Sequence, residues 1–286
     1  MAISAATVKE LRERTGAGMM DCQRALAETN GDMEEAIKVL RKKGLAAAAK
    51  KAGRAAKDGL VVIAVSADRA RAGIIELNCE TDFVARTEQY QAFGQALAEQ
   101  VMNDGASDVE KVKATRYMAD PLHTVAEVLA AQIATIGENI LLSRVAALHA
   151  ADGMQVGSYI HMGGKIGVLV EISASATEET VKDVAMHVAA AEPRFVSRDT
   201  VPDAAIAEER EIARAQAQAS GKPAQVIEKI AEGKVGKFFE QVCLLDQPFV
   251  KNPEETVQQM LAARGGATVK RFIRFRLGEG AATEAE

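Results

Sequence analysis

The sequence has no tryptophan, and aromatic residues make up only 4% of its 286 positions. Alanine is abundant and favours helix, so we expect helix to exceed strand. No run approaches the roughly 20 apolar residues that a membrane helix requires. The N-terminus also lacks the basic start and apolar core of a secretory signal. These absences predict a cytoplasmic protein that does not act on a membrane.

Cysteine and histidine are scarce, which limits the chemistry available to the chain. The cysteines lie far apart without a CxxC pair, so we expect reduced thiols at Cys22, Cys79 and Cys243. No two histidines have metal-ligand spacing, and His187, among alanines and valines, is expected in the core. The glycine-rich stretch 157–166 lacks phosphate-loop spacing and predicts a hairpin turn. We expect no metal, no cofactor and no catalytic residues.

The net charge of −5 is unevenly distributed. Residues 1–57 carry 12 Lys/Arg against 7 Asp/Glu, and the remainder carries 23 against 33. The chain thus has a basic N-terminal part (the head, residues 1–57) and an acidic remainder (the body). This distribution argues against general nucleic-acid binding and suits protein contacts steered by charge. A merely solvated surface would give the same pattern.

Residues 1–44 have the pattern of three short helices. Thr7 with Glu10, and Asp32 with Glu35, fit capping boxes, and Gly16 and Gly44 fit helix ends. Such a small unit is typical of a docking module.

Two further features of this head allow two interpretations each. The alanine-rich, basic stretch 45–57 predicts a linker or a frayed helix, and its lack of aromatics disfavours a nucleic-acid tail. Met19 and Met20 suit an adaptable contact surface, although the pattern slightly favours the core.

The body shows two β-hairpins, at 60–77 and at 156–172, each followed by a helical pattern. On the second arm of each, a glycine precedes aliphatic residues and a glutamate, at 73–76 and at 167–171. This repetition predicts two related α+β subdomains. Asp120-Pro121 and 252–255 are expected to open two further helices.

Residues 203–242 predict an antiparallel helical hairpin with a turn at 220–223 and a first arm that is only thinly apolar. A projecting pair of this kind suits an oligomer or partner contact. A pair folded back on the body fits the pattern equally well.

The loop after the second strand, residues 80–86 (the Phe83 loop), also allows two interpretations. Thr81 or Asp82 fits a helix N-cap, and Phe83 fits a core plug. Alternatively, Asp82 and Phe83 together form a charge and a rigid wedge on a loop that a scaffold holds in place.

Two long motifs lie at 8–22 and 79–85. They resemble, in the same order, two specific motifs of the bacterial elongation factor Ts family, and the resemblance extends along nearly the whole length of the sequence. Further agreement lies at 137–140, 144–148, 247–250, 272–275 and 278–280.

The resemblance implies an α+β protein with an N-terminal domain of ubiquitin-associated type and two related core subdomains. An inserted antiparallel helical hairpin would serve dimerisation. The implied boundaries are 1–54 for the N-terminal domain with its basic linker, 55–142 for the first core subdomain, 143–199 with 243–277 for the second, 200–242 for the hairpin and 278–286 for the tail.

The resemblance also implies a guanine nucleotide exchange factor for elongation factor Tu, a GTPase, without covalent chemistry of its own. Thr81, Asp82, Phe83 and Val84 would enter the partner's GTPase domain and disturb its Mg²⁺ site. Arg12, Met19 and Met20 would contact another face of that domain. No direct nucleic-acid contact is implied, and a homodimer and a heterotetramer with the partner are both open.

Two other classes of function compete with the exchange factor. One is an adaptor or chaperone of ubiquitin-associated type that binds partners without altering their nucleotide. The other is an enzyme whose site has no recognisable motif. Release of GDP from elongation factor Tu distinguishes the first class from both alternatives.

Overall fold

The structure is a computed structural model that describes residues 3–219 and 223–279. Helix makes up 52% and strand 24%, which confirms a mixed α and β protein in which helix exceeds strand. The described helices are α1 Ala5–Thr15, α2 Met19–Glu28, α3 Met33–Lys51, α4 Asp82–Ala85, α5 Glu88–Asp104, α6 Val109–Ala114, α7 Val125–Ile136, α8 Glu178–Ala191, α9 Asp203–Ala219, α10 Ala224–Val242 and α11 Val257–Ala263. The described strands are β1 Asp58–Val65, β2 Arg71–Cys79, β3 Arg116–Tyr117, β4 Asp120–Thr124, β5 Leu141–His149, β6 Met154–His161, β7 Ile166–Ser173, β8 Pro248–Phe249, β9 Asn252–Thr256 and β10 Val269–Arg276.

Helices α1 to α3 enclose a small core of their own. Its buried members are Val8, Leu11, Cys22, Ala25, Leu26 and Ala36. The predicted cap at Thr7 is wrong, because α1 begins earlier and Ser4 accepts a hydrogen bond from the Thr7 amide. Asp32 does cap α3 by accepting from the Glu35 amide, but the Glu35 carboxylate accepts from Lys38 instead of closing the box.

The predicted helix end at Gly44 is wrong, and of the two interpretations of residues 45–57 the linker is wrong for 45–51, which are helical. Helix α3 continues to Lys51, as its alanine-rich composition allows. Gly44 is buried against α7, where a Cβ on it would lie 3.8 Å from the Ala130 carbonyl oxygen. Lys51 Nζ also donates to the Ile133 carbonyl oxygen at 3.3 Å. The second half of α3 therefore packs on the body instead of separating the head from it.

The body contains two three-stranded antiparallel sheets, in the orders β1-β2-β5 and β10-β7-β6. Both predicted hairpins are confirmed, and α5 and α8 each pack on one sheet. Gly73 permits the close approach of α5, because a Cβ there would lie 2.4 Å from the Ala98 carbonyl oxygen.

The two sheets carry the same buried feature on their middle strands. Glu76 is 1% exposed and accepts from Arg144 Nε at 2.6 Å. Glu171 is fully buried and accepts from Arg271 Nε at 2.6 Å. The same buried glutamate–arginine pair in both sheets supports the prediction of two related subdomains. The subdomain boundaries stay predictions.

A short hairpin precedes a capped helix in both halves of the body. The hairpin β3–β4 leads to α7, which Thr124 caps, and β8–β9 leads to α11, which Thr256 caps. The predictions that Asp120-Pro121 and 252–255 open these helices are therefore wrong. In each case a threonine with a reciprocal partner three residues on forms the box, and the proline lies in the preceding strand.

Helices α9 and α10 contact each other along their lengths. The buried side chains of α9 are Ala213 and Ala217, so its thin apolar face is confirmed. Arg214 pairs with Glu228 of α10 at 2.8 Å. Most of the predicted turn at 220–223 lies outside the described residues, and the hairpin as a dimerisation element stays a prediction. No helix in the described part of the chain is long and apolar enough to cross a bilayer.

Candidate functional site

The Phe83 loop joins the buried end of β2 to α5. The short helix α4 lies within it, and Thr81 caps this helix by accepting from the Val84 amide at 3.4 Å. Thr87 then caps α5 and donates its hydroxyl to the Val84 carbonyl at 2.8 Å. The prediction of an N-cap at Thr81 is confirmed.

Phe83 is 80% exposed, so its interpretation as a core plug is wrong. Ala85 is buried in α4, and the partly buried Val84 packs against the core of the first sheet. These two side chains occupy the inward positions of a single helical turn, which leaves Phe83 facing outward. Beside it, the half-exposed Asp82 pairs with Arg86 at 2.7 Å.

The strand end beneath the loop is fixed by hydrogen bonds from two buried side chains. Cys79 Sγ donates to the Thr81 carbonyl oxygen at 3.1 Å, and burial raises the pKa of this thiol so that it keeps its proton. The buried Tyr90 hydroxyl donates to the Leu77 carbonyl oxygen at 2.7 Å. Burial likewise raises the pKa of Tyr90 well above its ordinary value. The loop therefore starts from a rigid base.

A carboxylate from another segment fastens the other side of the loop. Glu138 follows Gly137, which ends α7 with a φ of 91°. Its Oε2 accepts from the backbone amides of Glu80 and Thr81, each at 3.0 Å, and its Oε1 accepts from the Thr81 hydroxyl at 2.7 Å. Sequence reasoning gave Glu138 no role, because its partners lie 57 and 58 residues away.

The head presents its predicted contact residues to solvent. Met19 and Met20 open α2 and are 47% and 63% exposed, so their interpretation as core residues is wrong. The core face of α2 is instead formed by Cys22, Ala25 and Leu26. Arg12, on α1, is also exposed. The structure places Arg12 on α1 and Met19 and Met20 on α2, whereas Thr81 to Val84 lie at α4.

The residues that could suggest catalysis are engaged in structure. His187 is buried; its Nδ1 accepts from the Val250 amide at 3.2 Å, and its Nε2 lies 2.9 Å from Gln247 Oε1. Burial lowers the pKa of His187, so the ring is neutral and donates from Nε2. The core placement of His187 is confirmed. All three cysteines lie in the described residues and are buried, unpaired thiols.

Two comparisons with known proteins found related sequences. A family model described as elongation factor TS matches residues 80–279. The chain is 47% identical over 293 residues to "Elongation factor Ts" of Trichlorobacter lovleyi, covering 98% of this chain and 94% of that protein. The family match begins at the Phe83 loop, and the relative extends the likeness over the head. This chain belongs to the elongation factor Ts family and has the role of a translation elongation factor.

Proposed function

We propose that this chain is a guanine nucleotide exchange factor for elongation factor Tu. Family membership supports the assignment. The single observation that carries it is the 80% exposure of Phe83 on a loop whose backbone is fastened from both sides. An exposed phenylalanine on a rigid loop has the shape of an anchor that fills a pocket in a partner.

The reaction needs no bond to be made or broken by this chain. GDP is held in a GTPase largely through its phosphates and Mg²⁺. A protein that binds best to the state in which those contacts are loosened lowers the affinity for GDP. Because linkage is reciprocal, nucleotide lowers the affinity for the factor by the same ratio. Incoming GTP then displaces the factor and completes the cycle.

Within this proposal, the residues of the Phe83 loop have separate tasks. Phe83 inserts between structural elements of the GTPase domain, and Asp82 places a negative charge near the partner's Mg²⁺ site. Val84 anchors the loop to the core, and Thr81 fixes the start of α4. The Asp82–Arg86 pair is exposed, so exchanging it for a contact with the partner costs little.

The head supplies a second contact in the same proposal. Met19 and Met20 offer adaptable apolar surface, and Arg12 adds a positive charge. Two contacts on one partner domain raise the affinity without requiring either to be strong alone. The proposed domain boundaries follow those implied by the resemblance, the proposed location is the cytoplasm, and sedimentation with and without the partner would distinguish a homodimer from a heterotetramer.

Release of a fluorescent GDP from elongation factor Tu tests the proposal. Substoichiometric amounts of this chain should accelerate release in the presence of excess unlabelled nucleotide. Binding to the partner with an unchanged release rate would instead identify an adaptor. A chain that neither binds elongation factor Tu nor accelerates GDP release would refute the proposal.

A further inference from the structure

We propose that Glu138 is a positioning residue for nucleotide exchange that holds the Phe83 loop in the orientation from which Phe83 engages the partner. The inference rests on the proposed exchange function and adds a residue outside the loop to it. Glu138 does not need to touch the partner in this proposal; it acts through Thr81 and α4.

The geometry singles out this carboxylate. Both of its oxygens are used, and they accept three hydrogen bonds from two consecutive residues, Glu80 and Thr81. Hydrogen bonds to an ionised acceptor are about twice as strong as neutral ones. The donors include two backbone amides at the turn between β2 and α4, so the carboxylate fixes the path of the main chain as well as a side chain.

The contact is reciprocal, which makes it a clasp between two segments. The Glu80 carboxylate accepts from the Asn139 amide at 2.7 Å. Asn139 is 1% exposed, and its Nδ2 donates to the Arg54 carbonyl oxygen at 2.8 Å. The Arg54 guanidinium in turn forms an ion pair with the Glu80 carboxylate at 3.4 Å. The loop is thereby tied to the end of α7 and to the segment that leaves α3.

Phe83 depends on this clasp because it has no anchor of its own. Its side chain is apolar and 80% exposed, so its direction follows the direction of α4. Helix α4 has four residues and cannot persist without its flanking contacts. The Thr81 hydroxyl links Glu138 to α4, since it donates to the Glu138 carboxylate and accepts from the Val84 amide at the start of the helix.

Glu138→Ala should lower the fraction of molecules in which the Phe83 loop is correctly oriented. The kcat/KM for GDP release should fall in proportion to that fraction. If the loop of Glu138→Ala is correctly oriented in about one molecule in ten, kcat/KM for GDP release falls about tenfold. The loss should lie mainly in KM, with kcat little changed, and should be recovered at high factor concentration. Glu138→Gln keeps an acceptor oxygen for the two amides, and the Thr81 hydroxyl can reverse its direction. We expect kcat/KM of Glu138→Gln to remain within about threefold of the wild-type value, because most molecules would keep the oriented loop.

A double-mutant cycle with Phe83→Ala separates positioning from general stabilisation. If Glu138 acts through Phe83, Glu138→Ala costs about tenfold in the wild-type background and less than about twofold in the Phe83→Ala background. A merely structural role lowers the rate by the same factor in both backgrounds, and that outcome overturns the inference. Gln259→Ala is the matched control, because Gln259 also accepts from a backbone amide at a helix start, remote from the loop.

The failures of the two proposals are distinguishable. If the wild-type chain does not accelerate GDP release, the exchange function fails. If it does and the cycle is additive, only the role of Glu138 fails. Thermal unfolding is measured for every variant, and if Glu138→Ala does not fold at the assay temperature, Glu138→Asp takes its place in the cycle with the same criterion.

Discussion

Replacing Phe83 by alanine should abolish most of the exchange activity while leaving the fold intact. The side chain is 80% exposed and contributes little to the core. Surface substitutions of this kind change the free energy of unfolding by no more than about 0.5 kcal/mol. The melting temperature of Phe83→Ala should therefore stay close to that of the wild type.

The cost in exchange follows from the surface that Phe83 offers. Four fifths of roughly 150–200 Å² at about 25 cal/mol per Å² gives about 3–4 kcal/mol on complete burial in a partner. Alanine retains part of this contact, so we expect a loss of about 2–3 kcal/mol. That free energy corresponds to a fall in kcat/KM of roughly 30- to 150-fold.

Stopped-flow release of fluorescent GDP from elongation factor Tu measures this fall. Leu122→Ala is the matched control, because Leu122 is 79% exposed on the hairpin β3–β4 and should leave the rate unchanged. If Phe83→Ala has an unchanged melting temperature and still promotes exchange within about threefold of wild type, Phe83 is not the anchor.

Three further predictions concern the scaffold. Asp183 is 2% exposed; burial opposes its charge, but hydrogen bonds from Lys251 and Arg264 outweigh this and lower its pKa. The stability it contributes should be present above about pH 4 and lost as the pH falls further, and Asp183→Asn, by chemical denaturation, should cost about 1–3 kcal/mol near neutral pH. Gly73→Ala should destabilise by more than about 3 kcal/mol, since the new Cβ would overlap the α5 backbone; a mild loss would contradict the packing. Gly44→Leu should push α3 off α7 and speed hydrogen exchange in both helices, and unchanged protection would show that they do not pack in solution.

Local patterns predicted the elements whose signals are contained in a few consecutive residues. The hairpins of both sheets, the end of α1 at Gly16 and the cap at Thr81 were predictable because β-branched runs, glycine and threonine act within one turn. Tertiary contacts decided the rest. Gly44 reads locally as a helix end, but burial against α7 lets the helix continue.

The candidate site was predictable in part for the same reason. The composition of the Phe83 loop allowed both a core plug and an exposed wedge, and only the packing of Val84 and Ala85 decides between them. The family resemblance implies the exposed wedge, because in that family the residues matching Asp82 and Phe83 enter the partner. Glu138 could not be assigned, because its link to Thr81 exists only after α7 has folded against the first sheet.

The affinity of this chain for elongation factor Tu, measured with and without bound GDP, decides whether the chain can promote nucleotide exchange. We expect GDP to weaken the complex, and the ratio of the two dissociation constants to equal the ratio by which the chain weakens GDP binding. Equal affinity for the nucleotide-free and GDP-bound partner would contradict it, because a protein that does not discriminate between the two states cannot promote release.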